Sequence, residues 1–245
     1  MANNGSITIS DPGAAAPPQV SPAPLQEPVA LARRWALENA SVVRIIDPAA
    51  AHDYIRRRQE LGLDRLDEVW DGVYVVAPLA TNQHQDVIAG LAALFFRGIN
   101  LEARGRVLPG ANVSDRREGW ESNYRIPDTV VVLNGGRAVD CGTHWMGGPD
   151  FLVEVRSPGD ETEAKFPFYS GIGVRELLVV HRDTRELRLY RHDGQQLTEV
   201  PPSEHQGGRW LVSQVIPFAF RREVTGSGPR TQVLRTDETP GCWTI

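Results

Sequence analysis

Two apolar runs of strand length restrict the possible folds of this chain more than any other feature. The first is 126-IPDTVVVL-133 and the second is 151-FLVEVRS-157, and both are continuous rather than alternating in hydrophobicity. Continuous β-branched runs are typical of strands that are covered on both faces of a sheet. Each run also contains one carboxylate, Asp128 near the start of the first and Glu154 in the middle of the second. We therefore expect a sheet with covered faces and with acidic residues on two of its strands.

The segments around these runs predict a mixed sheet with helices packed on it. Apolar residues at helical spacing indicate helices over 29–40, 48–61, 82–98 and about 161–171. Further strands are expected at 66–78, as a hairpin around Asp71–Gly72, at 104–108, at 175–191 with a turn at Asp183–Thr184, and at 210–220. The predicted class is α/β, an α+β-type central mixed sheet flanked by helices with an N-terminal β-hairpin.

The helix over 82–98 has recognisable signals at both ends. Thr81 is a residue type that caps the first turn of a helix, and Gly98 is expected to end the helix as a C-cap.

The composition of the two ends predicts the domain boundaries. Residues 1–28 are rich in Ala, Pro, Ser and Gly and are expected to form a disordered leader. Residues 29–222 are expected to form one domain, in which the segment 134–148, with five glycines, is irregular. Residues 223–245 are expected to be a tail.

Charge and cysteine usage narrow the functional class. The formal net charge of −5 argues against a protein that coats nucleic acid non-specifically, although a local basic groove remains possible. The two cysteines, Cys141 and Cys242, form no CxxC pair, which favours an intracellular protein without a disulfide framework. No run of 18 apolar residues and no signal peptide are found, so a cytoplasmic location is expected. Cys141 and His144 alone make only half of a zinc site.

The negative charges of the two acids on these strands need a partner that offsets the cost of burying them. An ionised carboxylate inside an apolar strand costs several kcal/mol unless a cation, a metal or a proton accompanies it. The two-residue period of a strand places Arg156 on the same face as Glu154, so an ion pair between them is one expectation. Asp128 could instead meet Glu154 near the ends of adjacent strands, and two such carboxylates suit Mg²⁺ or Mn²⁺.

Lys165 is the only lysine of the chain, and the other 25 of its 26 basic Lys and Arg residues are arginines. One interpretation is chance, with an ordinary surface pair to Glu161 four residues earlier. The alternative is an ammonium that points back to the acids, where a compact charge is needed and arginine is unsuitable.

Several of these segments, taken in order, resemble one known family. The set is Glu68 with Asp71–Gly72, Pro78 and His84, then PDTVVV at 127–132, PDFLVEVRSPGD at 149–160, Lys165, Tyr169 and GVRELLVVHRDTRELRLYR at 173–191. It resembles the Uma2-like family of the PD-(D/E)XK superfamily, whose members are endonucleases with the restriction endonuclease-like fold. The resemblance covers roughly residues 65–195.

The resemblance implies a role for each matching residue. Asp128 and Glu154 match the metal ligands, and Glu68 and His84 are further candidates for the metal or a phosphate. The superfamily's lysine is replaced by Arg156, which then contacts phosphate, and Lys165 matches the family's displaced lysine. Ser157 and Pro158 match a turn.

Tyr169 matches a helix tyrosine that serves in packing or in phosphate contact. The function implied is a Mg²⁺- or Mn²⁺-dependent endonuclease that acts on DNA as a homodimer. Two alternatives remain open. One is a catalytically silent nucleic-acid-binding or interaction module on the same fold. The other is a purely structural protein in which Glu154 pairs with Arg156.

Overall fold

The computed structural model describes residues 43–47, 49–237 and 241–245. The predicted leader over 1–28 and the predicted helix over 29–40 lie outside these residues. The α-helices of the described part are α1 (His52–Glu60), α2 (Asn82–Phe95) and α3 (Phe166–Ile172). None of the helices in this part of the chain is long and apolar enough to cross a bilayer.

The strands of the same residues form three sheets. In chain order they are β1 (Val43–Ile45), β2 (Glu68–Trp70), β3 (Val73–Val76), β4 (Gly105–Pro109), β5 (Val113–Ser114), β6 (Tyr124–Arg125), β7 (Thr129–Leu133), β8 (Val139–Asp140), β9 (Trp145–Met146), β10 (Phe151–Arg156), β11 (Glu176–His181), β12 (Leu187–His192), β13 (Leu197–Val200), β14 (Ser203–His205), β15 (Gly208–Val212), β16 (Phe218–Thr225), β17 (Gly228–Arg235) and β18 (Cys242–Thr244).

The central sheet has six strands in the order β13-β12-β11-β10-β7-β4. β10 and β11 are parallel, whereas the other neighbouring pairs are antiparallel. A parallel pair needs a crossover connection, and a 3₁₀ turn at Thr162–Lys165 followed by α3 supplies it. The mixed sheet flanked by helices that the sequence predicts is confirmed.

Both faces of the central sheet are covered, which explains the continuous apolar runs. On one face, Phe151, Val153 and Val155 of β10 pack in a core that includes Leu91 and Phe95 of α2. On the other face, Leu152 packs in a second core that includes Tyr169 of α3. Glu154 has the same parity as Leu152 along β10 and therefore faces α3.

The predicted N-terminal hairpin is present as β2 and β3. Its turn residues Asp71 and Gly72 have φ of 47° and 84°, as a two-residue turn of type I′ requires. The hairpin belongs to a seven-stranded sheet in the order β1-β3-β2-β6-β5-β9-β8. The short strands β8 and β9 lie in the segment 134–148, where the sequence predicts irregular structure.

The C-terminal region differs from the predictions. The single strand expected at 210–220 is a β15–β16 hairpin, because the N–H groups of Val215 and Ile216 bond to Ser213 Oγ and turn the chain. The segment 223–245, expected to be a tail, instead contributes the last three residues of β16 and all of β17 and β18 to a five-stranded sheet. The backbone of Ile245 exchanges two hydrogen bonds of 2.9 Å with that of Thr231, which fixes the end of the chain.

The start of α2 is as the sequence predicts, but its end is not. Thr81 Oγ1 accepts a hydrogen bond from the N–H of His84, as a cap should. Gly98 is not a C-cap, because a π-helical turn over Phe96–Asn100 continues the helix through it. A Cβ at Gly98 would lie 2.7 Å from Cζ of Phe218, so the glycine is required by close packing against β16.

Candidate active site

Glu154 lies in the middle of the central sheet and is only 4% exposed. The antiparallel register of β7 and β10 pairs Thr129 with Val153, so Asp128 stands next to the end of the ladder, opposite Glu154. Asp128 Oδ2 accepts a hydrogen bond of 2.6 Å from the N–H of Val155. The two strand carboxylates are therefore neighbours.

The side chain of Lys165 reaches both the central sheet and the hairpin sheet. Its Nζ lies 2.9 Å from Glu68 Oε1, and 3.2 and 3.4 Å from the two carboxylate oxygens of Glu154. The alternative pair between Lys165 and Glu161 does not form, because Glu161 binds Arg44 at 3.0 Å. The only lysine of the chain thus lies between two buried glutamates.

Glu68 comes from β2 and is held by three donors. Its Oε1 accepts from Lys165 and from the N–H of Ile126 at 2.7 Å, and its Oε2 accepts from Trp70 Nε1 at 2.6 Å. Glu68 therefore ties the hairpin sheet to the segment that leads into β7, and it brings a second carboxylate to Lys165.

Tyr169 lies one helical turn after Lys165 and is fully buried. Its hydroxyl donates a hydrogen bond of 2.5 Å to Glu154 Oε1. Burial, together with the neighbouring charges of Glu154 and Glu68, raises the pKa of Tyr169 well above its ordinary value, so it stays a donor. Tyr169 therefore contacts the carboxylate of Glu154 and is not exposed to solvent.

The cluster carries more negative than positive charge, and this shifts the pKa values of its members. Burial raises the pKa of Glu154 to about 8, an effect that Lys165 opposes and that Asp128 and Glu68 reinforce. Burial lowers the pKa of Lys165, but the charges of Glu154 and Glu68 outweigh it and the pKa lies above its usual value. The neighbouring acids thus favour the protonated form of Lys165, and burial favours the protonated form of Glu154.

His84 joins the cluster through Asp128. Its Nε2 lies 3.1 Å from Asp128 Oδ1, and its Nδ1 lies 3.4 Å from Ser157 Oγ. Burial lowers the pKa of His84, but the hydrogen bond to Asp128 and the charges of Asp128 and Glu154 raise it above the usual value. His84 thus orients the carboxylate that faces Glu154.

Arg156 is not a partner of Glu154. It pairs with Glu163 on the 3₁₀ turn at 2.8 Å, and its side chain is 41% exposed. The expected Glu154–Arg156 pair is wrong because Lys165 and Tyr169 already satisfy Glu154, while Arg156 is the last residue of β10 and reaches solvent. The structural alternative that depended on this pair loses its basis.

Arg125 is a buried cation of the site that the sequence interpretation missed. It is 3% exposed and lies between the rings of Trp70 and Phe168, with Cζ at 4.8 and 4.3 Å from their centroids. Burial lowers its pKa, and the charge of Glu68 opposes this effect. The sequence does not distinguish Arg125, because the chain has 25 arginines and a position just before the apolar run 126–133 has no special pattern.

The donor chemistry of the cluster fits a hard divalent cation. Asp128 and Glu154 supply carboxylate oxygens, which Mg²⁺ and Mn²⁺ prefer. Burial first, and then the charges of Asp128 and Glu68, raise the pKa of Glu154, and a bound cation would oppose both effects. Glu68 is less available because both of its carboxylate oxygens already accept hydrogen bonds. In the described ranges, no group of three or more His, Cys, Asp or Glu side chains is arranged to hold a metal ion.

Two comparisons with known proteins give matches to this chain. A family model described as "Uma2: Putative restriction endonuclease" matches residues 53–225, more than half of the chain. Among solved structures, a protein from Anabaena variabilis ATCC 29413 described as a "putative nuclease belonging to DUF820" is 13% identical, with a TM-score of 0.45. That match covers 58% of this chain and 81% of the other. No curated protein matches the chain.

Proposed function

Because the chain belongs to the Uma2 family, we propose that it is a divalent-metal-dependent endonuclease that hydrolyses phosphodiester bonds in DNA. The observation that carries the proposal is the position of Lys165 Nζ, within 3.4 Å of the buried carboxylates of Glu68 and Glu154. Buried charges cost several kcal/mol each, so a cluster of this kind is expected where chemistry needs it.

Each residue of the cluster has a distinct proposed role. Asp128 and Glu154 would hold a Mg²⁺ or Mn²⁺ ion, which would polarise the phosphate and lower the pKa of a bound water molecule. Lys165 donates hydrogen bonds to the charge that develops on the phosphate oxygens. Tyr169 fixes the orientation of Glu154, and His84 fixes that of Asp128.

The reaction is a hydrolysis in which bonds and protons balance. The water oxygen forms a bond to phosphorus and gives up one proton to solvent, the bond from phosphorus to the leaving sugar oxygen breaks, and that oxygen takes up one proton from solvent. Arg156 lies at the end of β10, where its side chain is 41% exposed beside Glu163, so it is available to contact a backbone phosphate.

A catalytically silent nucleic-acid-binding module on the same fold is the second candidate. The observation that favours it is the ammonium of Lys165 itself, because it already neutralises part of the charge that a metal ion would otherwise neutralise. The two candidates differ in whether the phosphodiester bond is cut.

Nicking of supercoiled plasmid separates the two functions. The measurement compares wild type, Glu154→Gln, Lys165→Met and, as a matched control, Glu199→Gln at an exposed site on β13, each with MnCl₂ and with EDTA. We expect nicking by wild type and the control with Mn²⁺ only, and a loss of about 10²–10³-fold in the two site variants. Equal nicking by all four proteins contradicts the proposal. DNA binding without nicking supports the silent module.

The proposal extends to the assembly and the location. Cutting both strands of a duplex with one site per subunit needs two subunits, so the active form is a homodimer, which light scattering of the protein on a short duplex would detect. Cys141 and Cys242 are free thiols, as is usual in the cytoplasm, where we place the reaction.

A further inference from the structure

The face of the central sheet that carries Glu154 continues into a row of basic residues. β10 and β11 are parallel, with Glu154 opposite Val179 and Arg156 opposite His181, and Arg188 of β12 lies opposite Val179. Residues paired on neighbouring strands point to the same face of a sheet. Arg156, His181 and Arg188 therefore share the face of Glu154. Two residues of a strand span about 7 Å, so the row begins close to the acid cluster.

The side chains of these three residues line a shallow cleft with a free volume of about 30 Å³. A site of this volume admits one or two groups of the size of a water molecule, such as the oxygen atoms of a phosphate, and is too small for a base. Arg156 and Arg188 bring two guanidinium groups to it, and both side chains are partly open to solvent, at 41% and 47% exposure. A ligand from solution can therefore reach these donors.

His181 is fixed by its turn as a hydrogen-bond donor. Its Nδ1 accepts from the backbone N–H groups of Asp183 and Thr184 at 3.2 and 3.3 Å. An imidazole whose Nδ1 accepts carries its proton on Nε2. The ring also lines the cleft, so it adds an N–H donor to those of the two arginines.

Two carboxylates bind the arginines of the cleft in the absence of a ligand. Glu163 lies 2.8 Å from Arg156, and Glu186 lies 3.0 Å from Arg188. The two glutamate side chains are 49% and 57% exposed, so these are surface ion pairs, which contribute little to stability and weaken in salt. A guanidinium group binds phosphate with the same planar donor geometry as carboxylate. Exchange of each carboxylate for a phosphate therefore costs little.

From these features we infer that the cleft binds a backbone phosphate of the substrate strand adjacent to the phosphate that is cut. Arg156 and Arg188 bind its oxygens, and His181 donates from Nε2. Glu163 and Glu186 turn out into solvent when the phosphate enters, so they compete with DNA for the arginines. The position beside a cut bond rests on the proposed nuclease function, whereas the binding of a DNA phosphate does not.

The salt dependence of DNA binding tests the cleft without a cleavage readout. The full chain is titrated onto a short fluorescent duplex, with CaCl₂ and again with EDTA, and anisotropy gives Kd between about 50 and about 200 mM KCl. The variants are Arg156→Gln, Arg188→Gln, their combination, and His181→Asn, which keeps an acceptor oxygen near the position of Nδ1. Arg106→Gln is the matched control, because Arg106 is a 55% exposed arginine of the same sheet that binds one carboxylate, Asp140, at 2.7 Å.

We expect the double variant to lower the slope of log Kd against log salt by about 0.9, the value for one phosphate contact, and each single arginine variant by part of this amount. His181→Asn should weaken binding about two- to tenfold, the effect of one hydrogen bond, without changing the slope. Arg106→Gln should leave the slope of wild type.

The competing carboxylates supply a test in the opposite direction. Glu163→Gln and Glu186→Gln should each tighten DNA binding by up to about fivefold, because each releases an arginine from its ion pair. Asp140→Asn is the control and should not tighten binding. A damaged fold does not increase affinity, so this gain separates a role in binding from a role in stability.

Four results would overturn the inference. They are no binding of the duplex by wild type, a slope in the double variant equal to that of wild type, an equal loss of slope in Arg106→Gln, and binding in the two glutamate variants that is no tighter than in Asp140→Asn. None of them decides whether plasmid is nicked. Conversely, binding through the cleft without nicking would identify the silent module and leave this inference intact.

Discussion

Two neighbouring strands each carry a buried glutamate, and the two glutamates are compensated differently. Glu176, the first residue of β11, is completely buried and accepts from Arg191 Nε at 2.7 Å, Ser213 Oγ at 2.5 Å and the N–H of Gln214 at 3.1 Å. Glu154 on β10 is almost as buried, but it shares the one ammonium of Lys165 with Glu68.

The difference between the two clusters shows that burial alone does not mark a functional acid. Glu176 has a guanidinium on the adjacent strand and two further donors, so it ties the central sheet to the turn before β16. Glu154, Glu68 and Asp128 place three carboxylates around one lysine, and the pKa of Glu154 rises to about 8 as a result of burial and this crowding. The ratio of acids to cations distinguishes a site that is prepared for a ligand from a closed structural contact.

The largest expected effect concerns the cations of the two clusters. Lys165→Met should reduce metal-dependent DNA cleavage about 10²–10³-fold, because it removes the donor to the developing phosphate charge. Arg191→Met should leave cleavage per folded molecule unchanged, since Arg191 donates hydrogen bonds to Glu176 and to the carbonyl of Val212, which are not members of the acid cluster. Initial rates normalised to folded protein by circular dichroism check this, and equal losses in both variants would contradict the distinction.

Substitution of the two glutamates should affect the free energy of unfolding in the opposite order, with the larger loss at Glu176. Glu176→Gln should lower the free energy of unfolding by about 3 kcal/mol, since it leaves the charge of Arg191 without its carboxylate. Glu154→Gln should change it by less than about 1 kcal/mol, because an amide oxygen still accepts from Tyr169 and Lys165 keeps Glu68. Urea unfolding of the metal-free proteins at neutral pH measures both values, and a larger loss in Glu154→Gln would reverse the assignment.

The contrast between these clusters also shows how far the sequence could predict the molecule. The strands β7 and β10 are evident from the sequence because both faces of each strand are covered, and Asp128, Glu154 and Lys165 were predicted from family resemblance. The partner of Arg156 was not predictable, because strand period gives only the face on which a side chain lies. Glu163 reaches Arg156 from a turn, and Glu68 reaches Lys165 from another sheet.

Contacts between distant segments account for most of what the sequence did not predict. Ser213 meets Glu176 across 37 positions, and no local pattern indicates such a pair. The sequence predicts a tail over 223–245, where β17 and β18 lie, because Gly, Pro, Thr and Arg are frequent there, although Val233 is fully buried in the main core. A pocket of about 430 Å³ was not predicted for a similar reason, since its walls come from the hairpin, the segment 115–125 and α3.

The pH dependence of stability tests the raised pKa of Glu154. Its folded pKa of about 8 lies above the ordinary value of 4.5, so the folded state binds more protons between these values. The contribution of Glu154 to the free energy of unfolding should therefore fall as pH rises through this window. Relative to wild type, Glu154→Gln should gain about 1–3 kcal/mol between about pH 5 and about pH 8 in metal-free urea titrations. Parallel curves for the two proteins would show that Glu154 is not perturbed.

The smallest expected effect compares the hydroxyl groups that donate to the two glutamates. Tyr169→Phe and Ser213→Ala should each lower the free energy of unfolding by about 1 kcal/mol, the usual loss for one hydrogen bond.

The effects of these two substitutions on DNA cleavage should differ. The hydrogen bond from Tyr169 lowers the pKa of Glu154, so Tyr169→Phe should raise that pKa and move the rising limb of the pH–rate profile to higher pH. Ser213→Ala should leave the profile in place because its hydroxyl contacts Glu176 and the turn before β16, away from the acid cluster. A profile that moves equally in both variants would mean that the two carboxylates are coupled through the parallel pair β10–β11, and the division into a reactive and a structural cluster would then fail.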